Sequence, residues 1–247
     1  IISNIEKYGY TLDDRDTKYM KETFKELESI LNNNRDEYEK FFENFGLQLK
    51  FGAYNDYGVN KDKLKDLLLF YSSTEKKLVT LKEYVSRMKE GQTSIYYACG
   101  ESIDKVDMLP QVEAFKEKEY EVLYLTDNID EFVLTILMQY EEKKFANVSS
   151  ENIELEDENV RFTHRLRKHP VCLSSEGVIS ASMEKTLNAM ESNQGAKAKM
   201  VLEINENHEI ANKIKTLYDN DKEALKKYAK VLYAEARLIE GLPIENP

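Results

Sequence analysis

The sequence has little of what cross-links, bends or anchors a chain. Its 247 residues include no tryptophan, two cysteines, four prolines and nine glycines. Sparse glycine and proline favour a helix-rich fold with few elaborate loops. Cys99 and Cys172 each lie in an apolar run, which favours a reducing compartment over a disulfide framework. Since no apolar run reaches the roughly 18 residues of a membrane span, we expect a soluble, cytoplasmic protein with no membrane partner.

The sequence also has fewer basic than acidic residues. Asp and Glu outnumber Lys and Arg by 46 to 35, which leaves a net charge of -11. This balance disfavours nucleic acid and anionic lipid as partners, because both require a basic surface. The most basic stretch joins Arg165 and Arg167 to Lys168, His169 and Pro170. We expect this stretch to follow a solvated strand edge, with an anion-binding site as the alternative.

The common catalytic motifs are missing as well. The sequence has no GxxxxGK[ST] loop and no GxGxxG after a strand, so it lacks the two commonest phosphate-binding loops. His164, His169 and Cys172 could supply metal ligands or a Cys/His pair, but no CxxC or HExxH motif supports them. We predict no catalytic, cofactor-binding or metal-binding residues in this chain. A small enzyme that uses these three residues is the alternative.

What is present is a succession of amphipathic patterns. Apolar residues at three- and four-residue steps predict helices over residues 18–31, 35–45 and 62–70, with Gly46 ending the second. Residues 95–99 and 122–125 are β-favouring runs separated by a helical pattern, and the second run leads into a helix over 129–140. Because parallel strands need a crossover of about a dozen or more residues, this order predicts a parallel βαβ unit.

A change of composition predicts two domains. Residues 149–159 are acidic and polar, and we place a boundary there. The prediction is an αβα-layered domain over residues 1–150 and a smaller α+β domain over residues 151–247. The second domain is predicted to contain strands over 161–166, 171–173 and 200–204, and helices over 180–190, 209–218 and 222–240. The predicted fold class is therefore mixed α/β and α+β.

Residues 83–102, EYVSRMKEGQTSIYYACGES, are the most informative stretch. They predict an amphipathic helix with a capping box formed by Thr80 and Glu83, a stop at Gly91 and a short strand. The string resembles the YVSRMKE and IYY signature in the middle domain of the Hsp90 chaperones. Residues 112–137, VEAFKEKEYEVLYLTDNIDEFVLTIL, resemble the family's next helix, strand and helix. Further collinear matches are residues 44–52, 62–73, 161–173 and 199–210.

By this resemblance the chain is identified as a member of the Hsp90 family over residues 34–247. The resemblance implies the second half of the middle domain joined to most of the C-terminal domain. In the family the ATP-binding domain and the catalytic-loop arginine lie upstream of what is residue 1 here. The resemblance therefore implies no ATP hydrolysis by this chain alone, and ATP and Mg²⁺ only for the full-length protein. The family normally has a further helical segment near residues 150–160, and residues 8–22 do not match its pattern.

Client proteins, unfolded or partly folded, are the first partners that the resemblance implies. The helix over 180–190 places Ile179, Met183, Leu187 and Met190 on one stripe. Such a stripe is ordinarily core, but the corresponding helix of bacterial Hsp90 is exposed and implicated in client contact, and methionine adapts to irregular apolar partners. Phe132 lies where some bacterial relatives have a client-contacting tryptophan, with ordinary helix packing as the alternative.

A second copy of the chain is the other implied partner. The last helix has a broad apolar face, too wide for one neighbour to cover easily, formed by Leu225, Tyr228, Ala229, Leu232, Tyr233, Ala236 and Ile239. In Hsp90 this helix and the one that follows form a four-helix dimer bundle. We therefore expect a homodimer, weakened because the sequence ends at Pro247 before that second helix. The competing hypothesis is an acidic adaptor that binds one folded partner through this face.

Overall fold

The computed structural model describes residues 14–150, 160–190 and 195–244. Within these ranges, helices are combined with one sheet of six strands and one of three, so the predicted mixed fold class is confirmed. The described residues form two compact units. The first unit runs to Ile95 and also includes Ile129–Phe145, and the second comprises Tyr96–Asn128 and the described residues from Ala146 onward. The predicted boundary at residue 150 stays a prediction, since residues 151–159 lie outside the described ranges.

Two long helices begin the first unit, α1 (Asp14–Asn33) and α2 (Arg35–Gly58). The prediction that Gly46 ends the second helix is wrong, because the helix continues for three more turns. Gly46 instead allows close packing, since a Cβ there would lie 2.6 Å from the Phe42 ring. The helix ends at Gly58, whose φ of +77° suits glycine.

The predicted helix over 62–70 is only partly correct. A short helix α3 (Lys61–Leu64) and a 3-10 turn (Lys65–Leu67) give way to strand β1 (Leu69–Ser72). The apolar run at residues 67–70 is fully buried, as in a strand covered on both faces. Strand β1 pairs antiparallel with β2 (Leu78–Thr80).

The predicted capping box is confirmed at the start of α4 (Leu81–Ser86). Thr80 Oγ1 accepts from Glu83 N at 3.1 Å, and Glu83 Oε2 accepts from Thr80 N at 2.7 Å. The helix ends five residues before Gly91, earlier than predicted. The buried Gln92 side chain explains the turn that follows, because its Nε2 donates to Tyr84 Oη and Ser94 O at 3.0 and 2.8 Å. The first unit is completed by α7 (Asp130–Leu137), β5 (Gln139–Tyr140) and β6 (Lys143–Asn147), of which β5 and β6 pair antiparallel.

The predicted parallel βαβ arrangement is confirmed in the second unit. Strand β3 (Ser94–Cys99) runs parallel to β4 (Val122–Leu125), with Tyr96 opposite Val122. The crossover contains α5 (Ile103–Asp107) and α6 (Pro110–Glu117). Gly100 lies at the end of β3, where a Cβ would meet the Val106 side chain at 2.7 Å, so the crossover packs closely on the strand.

The three-stranded sheet of the second unit has the order β7-β9-β8. Its strands are β7 (Val160–Thr163), β8 (Val171–Glu176) and β9 (Lys199–Asn205), with β9 parallel to β7 and antiparallel to β8. Helices α8 (Ala181–Asn188), α9 (Glu209–Asn220) and α10 (Lys222–Ile239) accompany it. These elements agree with the predicted ones to within a few residues. Leucine, isoleucine and valine side chains of β8 and β9 form a core with Leu232 and Ala236 of α10.

Candidate functional site

An exposed aromatic surface lies on helices α2 and α7 of the first unit. Leu47, Phe51 and Tyr54 recur at helical spacing on α2 and are 46%, 50% and 38% exposed. Phe132 of α7 is half-buried and packs edge-on against Tyr54, with ring centroids 5.9 Å apart. We call these four residues the α2–α7 surface. Contiguous exposed apolar residues of this kind mark interaction sites more often than isolated ones do.

Buried polar contacts hold the two helices of this surface together. Lys50 Nζ of α2 lies 2.6 Å from Asp130 Oδ1 of α7, and both side chains are almost fully buried. The Lys50 ammonium also lies 5.6 Å from the Phe42 ring centroid and 5.3 Å from that of Phe70. A part-buried hydrogen bond joins α7 to α3, the helix after α2, since Lys61 Nζ of α3 donates to the carbonyl of Ile136 at 2.9 Å. These contacts fix the position of α7 against α2 and α3.

Of this surface, sequence reasoning identified only Phe132. Leu47, Phe51 and Tyr54 were missed because the helix was predicted to end at Gly46. The available signal was their own i, i+4, i+7 spacing, which continues the helical period past two glycines. A glycine within a periodic pattern can reflect close packing as well as a helix stop.

The methionine stripe predicted on the helix over 180–190 is mostly turned inward. Met183 is 6% exposed and Met190 is 46% exposed. Ile179, just before α8, and Leu187 are both half-buried. Ser180 caps the helix, with its Oγ accepting from Met183 N at 3.1 Å. Only Met190 thus presents a largely exposed apolar side chain, and client contact through these four residues stays a prediction.

The residues predicted to form a dimer interface fall into two groups. Leu232 and Ala236 are buried in the core of the second unit, and Tyr233 packs partly against that core. Leu225 and Ile239 are half-buried, while Tyr228 is exposed. Two further exposed apolar side chains on α10, Val231 and Leu238, were not among the predicted residues. Part of the predicted face is thus covered within the chain, and its role in a dimer stays a prediction.

The predicted alternative of a Cys/His or metal site has little support from the geometry. Cys172 is buried, with Sγ 3.7 Å from Glu203 Oε2, and both burial and this carboxylate raise the pKa of the thiol. A protonated thiol is a poor nucleophile and ligand. His164 is exposed, with Nε2 3.2 Å from Glu206 Oε2. Across the described ranges, no group of three or more His, Cys, Asp or Glu side chains has a metal-binding arrangement.

Glu203 instead organises a buried ionic network on β9. Arg165 Nη2 and Nε lie 2.7 and 3.1 Å from its two oxygens, and Arg161 donates to it as well. Ser174 Oγ adds a hydrogen bond of 2.8 Å. Burial acts to raise the pKa of Glu203, but the two arginines outweigh that effect and hold the pKa below its ordinary value. The network orders the basic stretch that begins at Arg165.

A second carboxyl with a shifted pKa belongs to Glu240, which is half-buried just after α10. Burial raises the pKa of Glu240 to about 7, although a hydrogen bond from Gln111 acts against this shift. Gln111 Nε2 donates to Glu240 Oε1 at 2.7 Å and to Leu173 O at 2.5 Å. This amide therefore links α6 to β8 and to the end of α10.

A family model described as "Hsp90 protein" matches residues 15–161 and 157–247. The chain is 52% identical over 258 residues to the chaperone protein HtpG of Clostridium acetobutylicum, covering 93% of this chain and 41% of that protein. It is 50% identical over 248 residues to HtpG of Clostridium perfringens, covering 90% of this chain and 40% of that protein. The chain spans about two fifths of the length of these relatives. Within the described ranges, no helix is both long and apolar enough to cross a membrane.

Proposed function

The chain belongs to the Hsp90 family, and from this premise we propose that it is the client-binding portion of an ATP-dependent molecular chaperone of the HtpG type. Its partners would be unfolded or partly folded proteins in the cytoplasm. ATP and Mg²⁺ would bind to a part of the full-length protein that precedes residue 1. The chain described here would contribute binding surface and no chemistry.

The observation that carries this proposal is the α2–α7 surface. An unfolded segment exposes apolar and aromatic side chains, which can pack against an apolar, aromatic surface. If that surface is already ordered, its own side chains lose little conformational entropy on binding. Phe51 and Tyr54 supply rings that are already exposed, and the Lys50–Asp130 pair fixes the helices that present them. Met190 provides a second, smaller apolar contact. The net charge of -11 favours clients that are basic as well as apolar.

Suppression of aggregation tests this proposal. A chemically denatured client is diluted into the chain and light scattering is followed for wild type, Phe51→Asp, Phe132→Asp and Met190→Asp. We expect the first two variants to lose at least about half of the suppression, because each places a charge where an apolar segment docks. Tyr19→Asp is the matched control, since Tyr19 is an exposed aromatic residue of α1 outside the surface. Equal suppression by all variants would contradict the proposal. A stable one-to-one complex with a folded protein and no preference for unfolded chains would favour the adaptor hypothesis.

Homodimerisation is a second proposed role, favoured by the exposed side of α10. Tyr228, Val231 and Leu238 are 45%, 64% and 61% exposed and offer an apolar contact for a second copy. Sedimentation at several concentrations of Val231→Asp and wild type tests it. We expect wild type to associate more strongly. Lys230→Asp is the control, since Lys230 is an exposed neighbour without apolar surface. Identical association by all three chains would exclude α10 as the contact.

A further inference from the structure

A cavity of about 450 Å³ lies in the second unit, beside β3 and α6, and none of the α2–α7 surface residues lines it. This volume is within the range of small-molecule sites, which combine apolar walls with a few well-placed polar groups. Its walls come from both parts of the second unit, the βαβ region and the basic stretch after β7. Neither client binding nor dimerisation makes use of it.

Aromatic rings form one wall of the cavity. Tyr96 of β3 lies with its ring centroid 4.7 Å from that of Phe115 and 5.5 Å from that of Tyr120, and Phe115 and Tyr120 are 6.4 Å apart. All three side chains are half-buried and line the cavity. Such a cluster offers ring faces and edges against which a further planar ring can pack.

Basic side chains line the cavity. Lys118, His164, Arg165 and Arg167 are among the described residues that line it, and no Asp or Glu is. Three of them have a carboxylate partner outside the lining, since Arg165 pairs with Glu203, Arg167 with Glu117 and His164 with Glu206. The basic stretch is also held in place. Arg165 is paired with Glu203, and Asn205 Nδ2 donates to the carbonyls of Arg167 and His169 at 3.1 and 3.0 Å.

Arg167 is the cation best placed to meet an anion. Its Nε lies 2.6 Å from Glu117 Oε2, and its side chain is about half exposed. A guanidinium has five N–H donors in a fixed fork, so one ion pair leaves donors for a second acceptor. The Glu117 contact orients the fork without filling it.

Gln111 closes part of the cavity wall. It lines the cavity and is 2% exposed, and its Nε2 is committed to Leu173 and Glu240. Within the described part of the chain its Oε1 has no hydrogen-bond partner, but this oxygen is itself buried and so offers a ligand no accessible acceptor.

We propose that this cavity binds an aromatic carboxylate. The ring packs among Tyr96, Phe115 and Tyr120, and the carboxylate pairs with Arg167. The chemistry fits a free aromatic acid and the C-terminal aromatic residue of a peptide equally well. The inference does not depend on client binding, since it uses none of the α2–α7 surface residues.

Fluorescence gives a direct test, because the chain has 16 tyrosines and no tryptophan. N-acetyl-L-tryptophan is titrated into the chain and its fluorescence is excited selectively. We expect saturable binding with a Kd at or below about 1 mM. N-acetyl-L-tryptophanamide, without the carboxylate, should bind about tenfold more weakly or worse.

Two variants and one control locate the site. Arg167→Glu should weaken N-acetyl-L-tryptophan binding by about tenfold or more, and Phe115→Ala by about threefold or more. Lys168→Glu is the matched control, because this substitution makes the same change of charge one residue away. The Lys168 side chain is 88% exposed and does not line the cavity. It should leave the Kd unchanged. Arg167→Glu is a surface change, so it remains informative if Phe115→Ala fails to fold.

Three results would overturn the proposal: no saturation at about 10 mM ligand, equal binding of the acid and its amide, or equal weakening by Lys168→Glu and Arg167→Glu. A tetrapeptide ending in tryptophan separates the two sources of ligand. Binding at least as tight as that of N-acetyl-L-tryptophan would support the site as one for chain ends. Weaker binding of the peptide would support it as one for free aromatic acids.

Discussion

The apolar stripes on α2 and α8 look alike in the sequence and differ in the structure. Both place apolar side chains at helical spacing, yet Phe51 of α2 is 50% exposed while Met183 of α8 is 6% exposed. The stripe predicted to bind clients has one buried and two half-buried members, whereas Leu47, Phe51 and Tyr54 of the overlooked stripe are all exposed. Periodicity thus identifies which residues share a face of a helix, and it does not decide whether another element covers that face.

The polar groups near the two stripes differ as well. Between α2 and α7 lies the buried Lys50–Asp130 pair, whose Nζ and Oδ1 are 2.6 Å apart. Close to α8 lies Glu240, which lines a small cavity with Ala181 and Ser182 and has its pKa raised to about 7. The stability of the first region should therefore depend on keeping both members of the ion pair. The stability of the second region should depend on pH.

Breaking the ion pair should have the largest effect. Lys50→Met leaves the buried Asp130 carboxylate without its lysine, and we expect a loss of about 3–5 kcal/mol in the free energy of unfolding. Urea denaturation provides the measurement. The double variant Lys50→Met/Asp130→Leu is the control, because replacing a buried pair with apolar residues is often close to neutral. A loss in the double variant as large as in the single one would contradict this account of the α2–α7 support.

Removing the buried methionine should have the next largest effect. Met183→Ala leaves a cavity in the second unit, and we expect a loss of about 2–3 kcal/mol. The same measurement on Met190→Ala should give a change within about 0.5 kcal/mol, since Met190 is exposed. If Met183→Ala proved as mild as Met190→Ala, the stripe would be open to solvent as the resemblance implied.

The pH dependence of the second unit should reflect Glu240. Its folded pKa of about 7 lies above the ordinary value of 4.5, so the folded state binds more protons between these two values. The free energy of unfolding should then be highest below about pH 4.5. It should decrease by up to about 3 kcal/mol as the pH rises through 7. Glu240→Gln should remove this slope from urea midpoints measured between pH 5 and 8. An unchanged slope would assign the pH dependence to another group.

Phe51→Ala should have the smallest effect on stability. Because Phe51 is half exposed, we expect a change within about 0.5 kcal/mol in the same urea experiment. A loss above 2 kcal/mol would mean that Phe51 supports the fold, and the contrast between the two stripes would fail. A near-neutral result would allow the effect of Phe51→Asp on client aggregation to be attributed to binding.

Most helices and strands could be predicted because local signals agreed with the final packing. Helices α9 and α10 combine strong periodicity with polar caps, and Asp221 Oδ1 accepts from Ala224 N at 2.9 Å. Strand β4 is an uninterrupted apolar run that is buried throughout, as expected for a parallel strand. The failures came where one residue type is compatible with two structures, as at Gly46, which can end a helix but here lies within α2 under the Phe42 ring.

The sequence by itself determined the family, the mixed fold class and the order of helices and strands. Each depends on strings of neighbouring residues, whose propensity, capping and periodicity are local properties. Only the tertiary structure decided which apolar faces are covered, and it alone placed Lys50 against Asp130 and brought Arg167 to the same cavity as Tyr96 and Phe115. These depend on residues far apart in the chain, where exposure and charge environment arise from packing and have no signature in the order of residues.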